Sequence, residues 1–240
     1  MSEAPPRIII TRAAPGAAQT AERLNAIGAS VIISPALELC ARNEPVPDLD
    51  VIGGLVFTSA NGVRFFSEAC DRRDLPAWCV GPATASQALR EGFSLVHQSS
   101  GDAHDLAHYI AHHWSGGEKA LLHVANAAAG GNLRTALEAE GFSITFLPLY
   151  EARTAPALVN EASRALEGVE RTIVLGHSRK GMEAFLALAR ELDLARTEFV
   201  VISEQAAAPL ETIGATRVHI ATHPDEDHLI SALERVLGRA

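Results

Sequence analysis

Hydroxyl side chains recur in this chain where a strand hands over to a helix. The stretch Leu55 to Phe66, L-V-F-T-S-A-N-G-V-R-F-F, opens with an apolar run and turns on Thr58, Ser59, Ala60, Asn61 and Gly62. It then resumes with Val63, Phe66 and Ala69 at helical spacing, the pattern of strand, polar turn and helix N-terminus. Such a turn presents hydroxyls and backbone N–H groups at the carboxyl end of a strand, where open α/β sheets take ligands and a helix end favours anions. Thr172 to Phe185, T-I-V-L-G-H-S-R-K-G-M-E-A-F, repeats the pattern with Ser178 in place of Ser59, and V-G-P-A-T-A at Val80 to Ala85 adds Thr84. Arg12, Arg64, Arg153, Arg179 and Lys180 add charge-assisted donors, so these residue types point to binding of a small anionic molecule. The plainer roles are helix capping for the hydroxyls, which is compatible with binding, and a solvated surface charge for each basic residue.

Other chemistries fit the residues less well. His104, His108 and His112 recur every four residues on one predicted helix face, a spacing that suits a metal, but no cysteine or matched carboxylate completes a ligand set, so no metal is expected. His177 beside Ser178 suggests a nucleophile and its base, yet adjacent residues seldom present side chains to each other and the G-x-S-x-G elbow is absent. No G-x-G-x-x-G follows the first strand and no Walker pattern occurs, which disfavours nicotinamide and nucleoside-triphosphate chemistry.

The elements that must position these residues alternate strand and helix along the whole chain, which predicts parallel sheets covered on both faces. Predicted strands are Ile8 to Thr11, Val31 to Ile33, Leu55 to Phe57, Ala77 to Val80, Ser94 to Val96, Lys119 to Val124, Ile144 to Leu147, Thr172 to Leu175, Phe199 to Ile202 and Arg217 to Ile220. Gly28, Gly92, Gly141 and Gly214 each stop a helix. Three units occur twice in the same order: Arg7 to Pro35 with Ala120 to Pro148, the Ser59 turn with the Ser178 turn, and Trp78 to Ile110 with Phe199 to Leu233. The offset is about 115 residues, one modest domain. Ten strands therefore divide into two five-stranded, flavodoxin-like parallel-sheet domains. Ser34 to Asn43 and Pro148 to Arg153 read instead as extended connectors. Two partitions are open, a simple one breaking near Lys119 and a swapped one in which the connectors pair as a two-stranded β linker. The swapped one is preferred: residues 1–35 with 154–240 form one domain, 44–147 the other, and 36–43 with 148–153 the hinge.

The chain of 240 residues is 48% hydrophobic, enough to give each half a core, and its formal charge of −9 with no basic tract argues against nucleic acid. Anions must then be held by local groups. Cys40, Cys70 and Cys79 are too few and scattered for a disulfide framework, and no export signal or membrane-length apolar run occurs, so a cytoplasmic chain with no membrane partner is expected. A monomer is expected.

T-R-x-x-P-G at Thr11 to Gly16, F-T-S-A-N-G-V around Ser59, V-G-P-A-T-A, L-Y-E-A at Leu149 to Ala152 and H-S-R-K-G at His177 to Gly181 stand in order along nearly the whole chain. Together they resemble the uroporphyrinogen-III synthase family. The resemblance implies two flavodoxin-like domains in the swapped arrangement and a cofactor-free reaction in the cleft between them. The reaction closes the linear tetrapyrrole hydroxymethylbilane into uroporphyrinogen III, inverting the last pyrrole ring through a spirocyclic intermediate. Substrate acetate and propionate groups would meet the turns at Thr58, Ser59, Thr84 and Ser178, aided by Arg12 and Arg179. Tyr150 matches the family's motif tyrosine, and its phenol, with an ordinary pKa near 10, suits hydrogen-bond donation to the departing hydroxyl. The chain has Ala125 and Asn126 where the family often has Arg-Gly, and Ala206 where the second copy would repeat Thr84. The alternative from a different class is a non-catalytic, two-lobed small-anion binding or sensor module, which the same architecture supports.

Overall fold

The computed structural model describes residues 5–99 and 102–239. The strands are β1 (Arg7–Ile10), β2 (Ser30–Ile33), β3 (Leu37–Ala41), β4 (Ile52–Phe57), β5 (Ala77–Cys79), β6 (Val96–Gln98), β7 (Ala120–Asn126), β8 (Ile144–Thr154), β9 (Thr172–Gly176), β10 (Glu198–Val201) and β11 (Val218–Ile220). The helices are α1 (Gly16–Ala26), α2 (Ala60–Ala69), α3 (Pro82–Arg90), α4 (Ala103–His113), α5 (Asn132–Ala139), α6 (Asn160–Glu167), α7 (Arg179–Leu188), α8 (Glu204–Glu211) and α9 (Glu226–Val236). The chain divides into two compact units, Met1–Leu39 with Arg153–Ala240, and Cys40–Ala152.

The first unit is a parallel sheet in the order β11-β10-β9-β1-β2. Ile8 and Ile10 pack on one face with Leu24 of α1 and Leu229 and Leu233 of α9. Ile9, Val174 and Phe199 pack on the other with Phe185 of α7 and Leu210 of α8. Burial on both faces is why these strands are continuous apolar runs.

The second unit holds the order β8-β7-β4-β5-β6, all parallel, with β3 beside β8 at the edge. Pairing the repeated units, β7 with β1, β8 with β2, β4 with β9, β5 with β10 and β6 with β11, turns both sheets into one order. The second unit is thus a circular permutation of the first. Phe57, Phe66 and Phe93 fill one face, and Trp78, Leu106, Ile110 and Leu137 the other. The backbone bonds Arg42 N–H to Leu149 C=O at 2.8 Å and Ala155 N–H to Ala36 C=O at 2.9 Å share one residue-number sum, so β3 and β8 run antiparallel.

The strand expectations change most at β6 and β8. The edge strand is Val96–Gln98 rather than Ser94 to Val96, because buried Phe93 closes α3 by bonding Ala88 and leaves Leu95 half exposed in the turn. Ile144 to Leu147 does not end at Pro148: β8 continues to Thr154, with a register irregularity opposite Ala125 and Asn126 where Pro148 cannot donate. The sheets therefore have five and six strands, the additional one being β3. The four glycines expected to stop helices have positive φ of 63° to 89°, the backbone region that favours glycine.

Candidate active site

In the second unit the polar turn after β4 meets the middle of β8. Ser59 is the N-cap of α2, its Oγ accepting the Gly62 N–H at 3.2 Å. The same Oγ lies 2.8 Å from the Tyr150 hydroxyl. With Gly62 donating to Ser59, the serine proton is free to point at the tyrosine oxygen, which leaves the phenol proton available to a third group. The Phe65 ring stacks on Tyr150 at 4.7 Å and 7°, fixing its orientation. Burial raises the phenol pKa against the opposing effects of the Ser59 bond and the Arg64 charge, so Tyr150 is a neutral donor at neutral pH. Arg64 bonds Asn61 Oδ1, and burial lowers its own pKa despite Glu68, Glu91 and Tyr150.

Thr58 Oγ1 lies 3.4 Å from Nε2 of His123, a long contact, and His123 is buried in β7. Burial alone pushes its pKa down to about 4, so the ring is neutral. Sequence reasoning did not single out His123, although a histidine inside an otherwise apolar strand is a visible anomaly. Thr84 is buried in the first turn of α3, a helix opened by Gly81 and Pro82 without a side-chain cap.

In the first unit Ser178 caps α7 as Ser59 caps α2, its Oγ accepting the Gly181 N–H at 3.0 Å. Arg179 is exposed and pairs with Glu183 at 2.9 Å. Arg12 Nη1 donates to Glu226 at 2.7 Å and to Thr20 at 3.3 Å. Thr20 also donates to Glu226. His177 Nε2 is 3.3 Å from the same carboxylate but is poorly directed, so neither buried ring nitrogen makes a well-formed hydrogen bond. Burial lowers the His177 pKa against the opposing pull of Glu226. Burial would raise Glu226, but His177, Thr20 and Arg12 hold it down at about 2. Glu226 is the first residue of α9, next to its Asp225 cap.

The histidine face of α4 makes local contacts: His108 Nδ1 meets Glu140 at 2.8 Å and His112 Nδ1 meets the His108 carbonyl at 2.8 Å. Among the described residues no group of three His, Cys, Asp or Glu is placed to hold a metal ion. No described helix is long and apolar enough to cross a membrane.

A family model described as uroporphyrinogen-III synthase HemD matches residues 18–231. The uroporphyrinogen-III synthetase of Helicobacter pylori shares the fold at a TM-score of 0.69 and 19% identity, over 96% of this chain and 99% of that one. A mutant uroporphyrinogen III synthase from the extremely thermophilic bacterium Thermus thermophilus aligns at a TM-score of 0.53 and 14% identity, over 98% of this chain and 100% of that one. No curated protein matches the chain.

Proposed function

We infer how the site works from the premise that the chain belongs to the uroporphyrinogen-III synthase family. It is an enzyme that cyclises hydroxymethylbilane. We propose that closure inverts the terminal ring: the substrate hydroxyl leaves, the terminal pyrrole attacks through its substituted position, and the spirocyclic intermediate breaks open and recloses with loss of a proton.

The observation that carries the site assignment is the Ser59–Tyr150 pair. Ser59 donates to the Tyr150 oxygen, and the phenol transfers its proton to the departing hydroxyl, so the oxygen leaves as water and the phenolate takes up the proton released when the ring recloses. The turns at Ser59, Thr84 and Ser178 hold carboxylates of the substrate through backbone amides at helix N-termini, with Thr58 and Arg179 at their margins. Arg12 is held by Glu226 through Nη1, which leaves its other guanidinium nitrogens for a substrate carboxylate. Because the unassisted closure yields the uninverted isomer, orientation of the terminal ring is the larger part of the task. Three unpaired cysteines suit a reducing cytoplasm, and the enzyme acts there as a monomer without a cofactor.

The purified protein given hydroxymethylbilane should yield the type III macrocycle in excess over type I. A type I product alone, at the unassisted rate, would return the chain to the sensor reading.

A further inference from the structure

The opening of α2 carries a guanidinium beside the Ser59–Tyr150 pair. Helical side chains lean towards the N-terminus, and Arg64 does so, bonding Asn61 Oδ1 one turn back. That bond holds its head over the turn where Ser59 Oγ meets the Tyr150 hydroxyl at 2.8 Å. The next residue, Phe65, stacks on the Tyr150 ring at 4.7 Å. In the same unit Arg42, Arg72 and Arg134 meet carboxylates, and Arg73 meets backbone carbonyls. Arg64 has no such compensation among the described residues. Its Nε is shut off from solvent without a hydrogen-bond partner, and Glu68 of α2 and Glu91 at the end of α3 act on it only through space.

An unmet buried N–H costs stability, and an unmet polar group of that kind is characteristic of a site where the charge is used. The acid step is what uses a fixed positive charge here. When the phenol gives its proton to the departing hydroxyl, the C–O bond breaks with its electron pair on oxygen, water leaves, and a phenolate stays behind. Burial opposes that anion. Ser59 satisfies one lone pair by donating to it. A cation in the same surroundings supplies the rest, since its attraction is several times stronger there than in water. The Ser59 bond and the Arg64 charge are the two influences that oppose burial at Tyr150. Glu68 and Glu91 favour the charged guanidinium, so Arg64 stays a cation throughout.

We propose that Arg64 is a positioning residue for the reaction: acting through Tyr150, its fixed charge stabilises the phenolate until the proton released on reclosure returns to it. The inference rests on the reading of Tyr150 as the proton donor. It gives Arg64 a partner within the protein, in place of the substrate contact that its residue type suggests.

The test joins a titration to a double-mutant cycle on the whole chain. With tyrosine labelled by carbon-13 at the ring carbon that bears the hydroxyl, the two tyrosines, Tyr109 and Tyr150, give two signals, and Tyr150→Phe assigns them. Arg64→Gln removes the charge but keeps a donor for Asn61. It should move the Tyr150 titration to higher pH, with the Tyr109 signal as internal reference, and Arg64→Lys should bring it back towards wild type. Single-turnover closure of hydroxymethylbilane by Arg64→Gln should be about tenfold slower at neutral pH, with type III product and unchanged far-UV circular dichroism. In Tyr150→Phe the same substitution should slow closure no further, since the anion it serves is gone. An unmoved Tyr150 titration, or a tenfold loss that persists in Tyr150→Phe, overturns the proposal and leaves Tyr150 in its role. Where the variant unfolds before its phenol titrates, the cycle at neutral pH decides alone. Tyr150→Phe at the full wild-type rate is the distinct result that removes the acid reading itself, and the role of Arg64 falls with it.

Discussion

Replacing Glu226 by glutamine removes the carboxylate that Arg12, Thr20 and His177 surround, while keeping its shape. Its pKa falls from 4.5 to about 2 in the folded protein. Taken whole, that shift corresponds to roughly 3.4 kcal/mol of stability at neutral pH. Part of it depends on a charged His177, which burial keeps neutral at pH 7. Arg12 and Thr20 supply the remaining share. Arg12 is one-third exposed and can turn to water, so Glu226→Gln should cost about 2 kcal/mol, below the 3–5 kcal/mol of a fully buried broken pair. The sign follows from the direction of the shift. A depressed carboxylate stabilises above its unfolded pKa, and that stabilisation is lost as pH falls from 4.5 towards 2. The difference between wild type and variant should therefore be full at pH 7, about two-fifths of that at pH 3, and lost only below pH 2. Both tryptophans, Trp78 and Trp114, lie in the second unit, so tryptophan fluorescence follows that unit and circular dichroism follows both. In urea the variant should lower the dichroism midpoint attributable to the first unit by about 1 M at pH 7. An unchanged midpoint, or an equal loss at pH 7 and pH 3, refutes the reasoning.

Three further outcomes follow from other parts of the molecule. A Cβ at Gly62 would lie 2.7 Å from the Val124 carbonyl oxygen, which is backbone and cannot swing aside, so Gly62→Ala should cost about 1–3 kcal/mol by chemical denaturation; neutrality would show that α2 shifts freely from β7. Burial pushes the Cys79 thiol up to about 12, so with a thiol-reactive dye Cys40 and Cys70 should react in native protein and Cys79 only after unfolding; three equally fast thiols would contradict that burial. Residues 40–152, produced alone, should unfold cooperatively in urea, since they carry two core faces of their own; a non-cooperative transition would favour the partition near Lys119.

Much of the fold was legible because both-face burial writes strands as apolar runs and glycine writes the helix ends. Ser59 and Ser178 were legible because a cap is local, involving only the next turn. Arg12 reads as a cation from sequence, but the residue that neutralises it is 214 positions away. Only the closing of α9 over the end of β1 reveals the pair. His123 shows the same limit: its anomaly is visible in L-L-H-V-A, whereas its partner Thr58 follows a strand 65 residues earlier. The edge strand slipped because Ser94 to Val96 and Val96 to Gln98 are equally short, and the burial of Phe93 decides between them. The tyrosine was visible as a residue type. Its pairing with Ser59 needed the sheet.

The most direct test of the account is the single-turnover rate of Tyr150→Phe with hydroxymethylbilane. Loss of the phenol should slow closure by about tenfold to a thousandfold, while the product remains type III and product affinity changes little, because the donated bond matters only as the hydroxyl departs. Phe keeps the ring that stacks on Phe65, so the fold should survive. A variant that closes the ring at the full wild-type rate would contradict the assignment of Tyr150 as the donor.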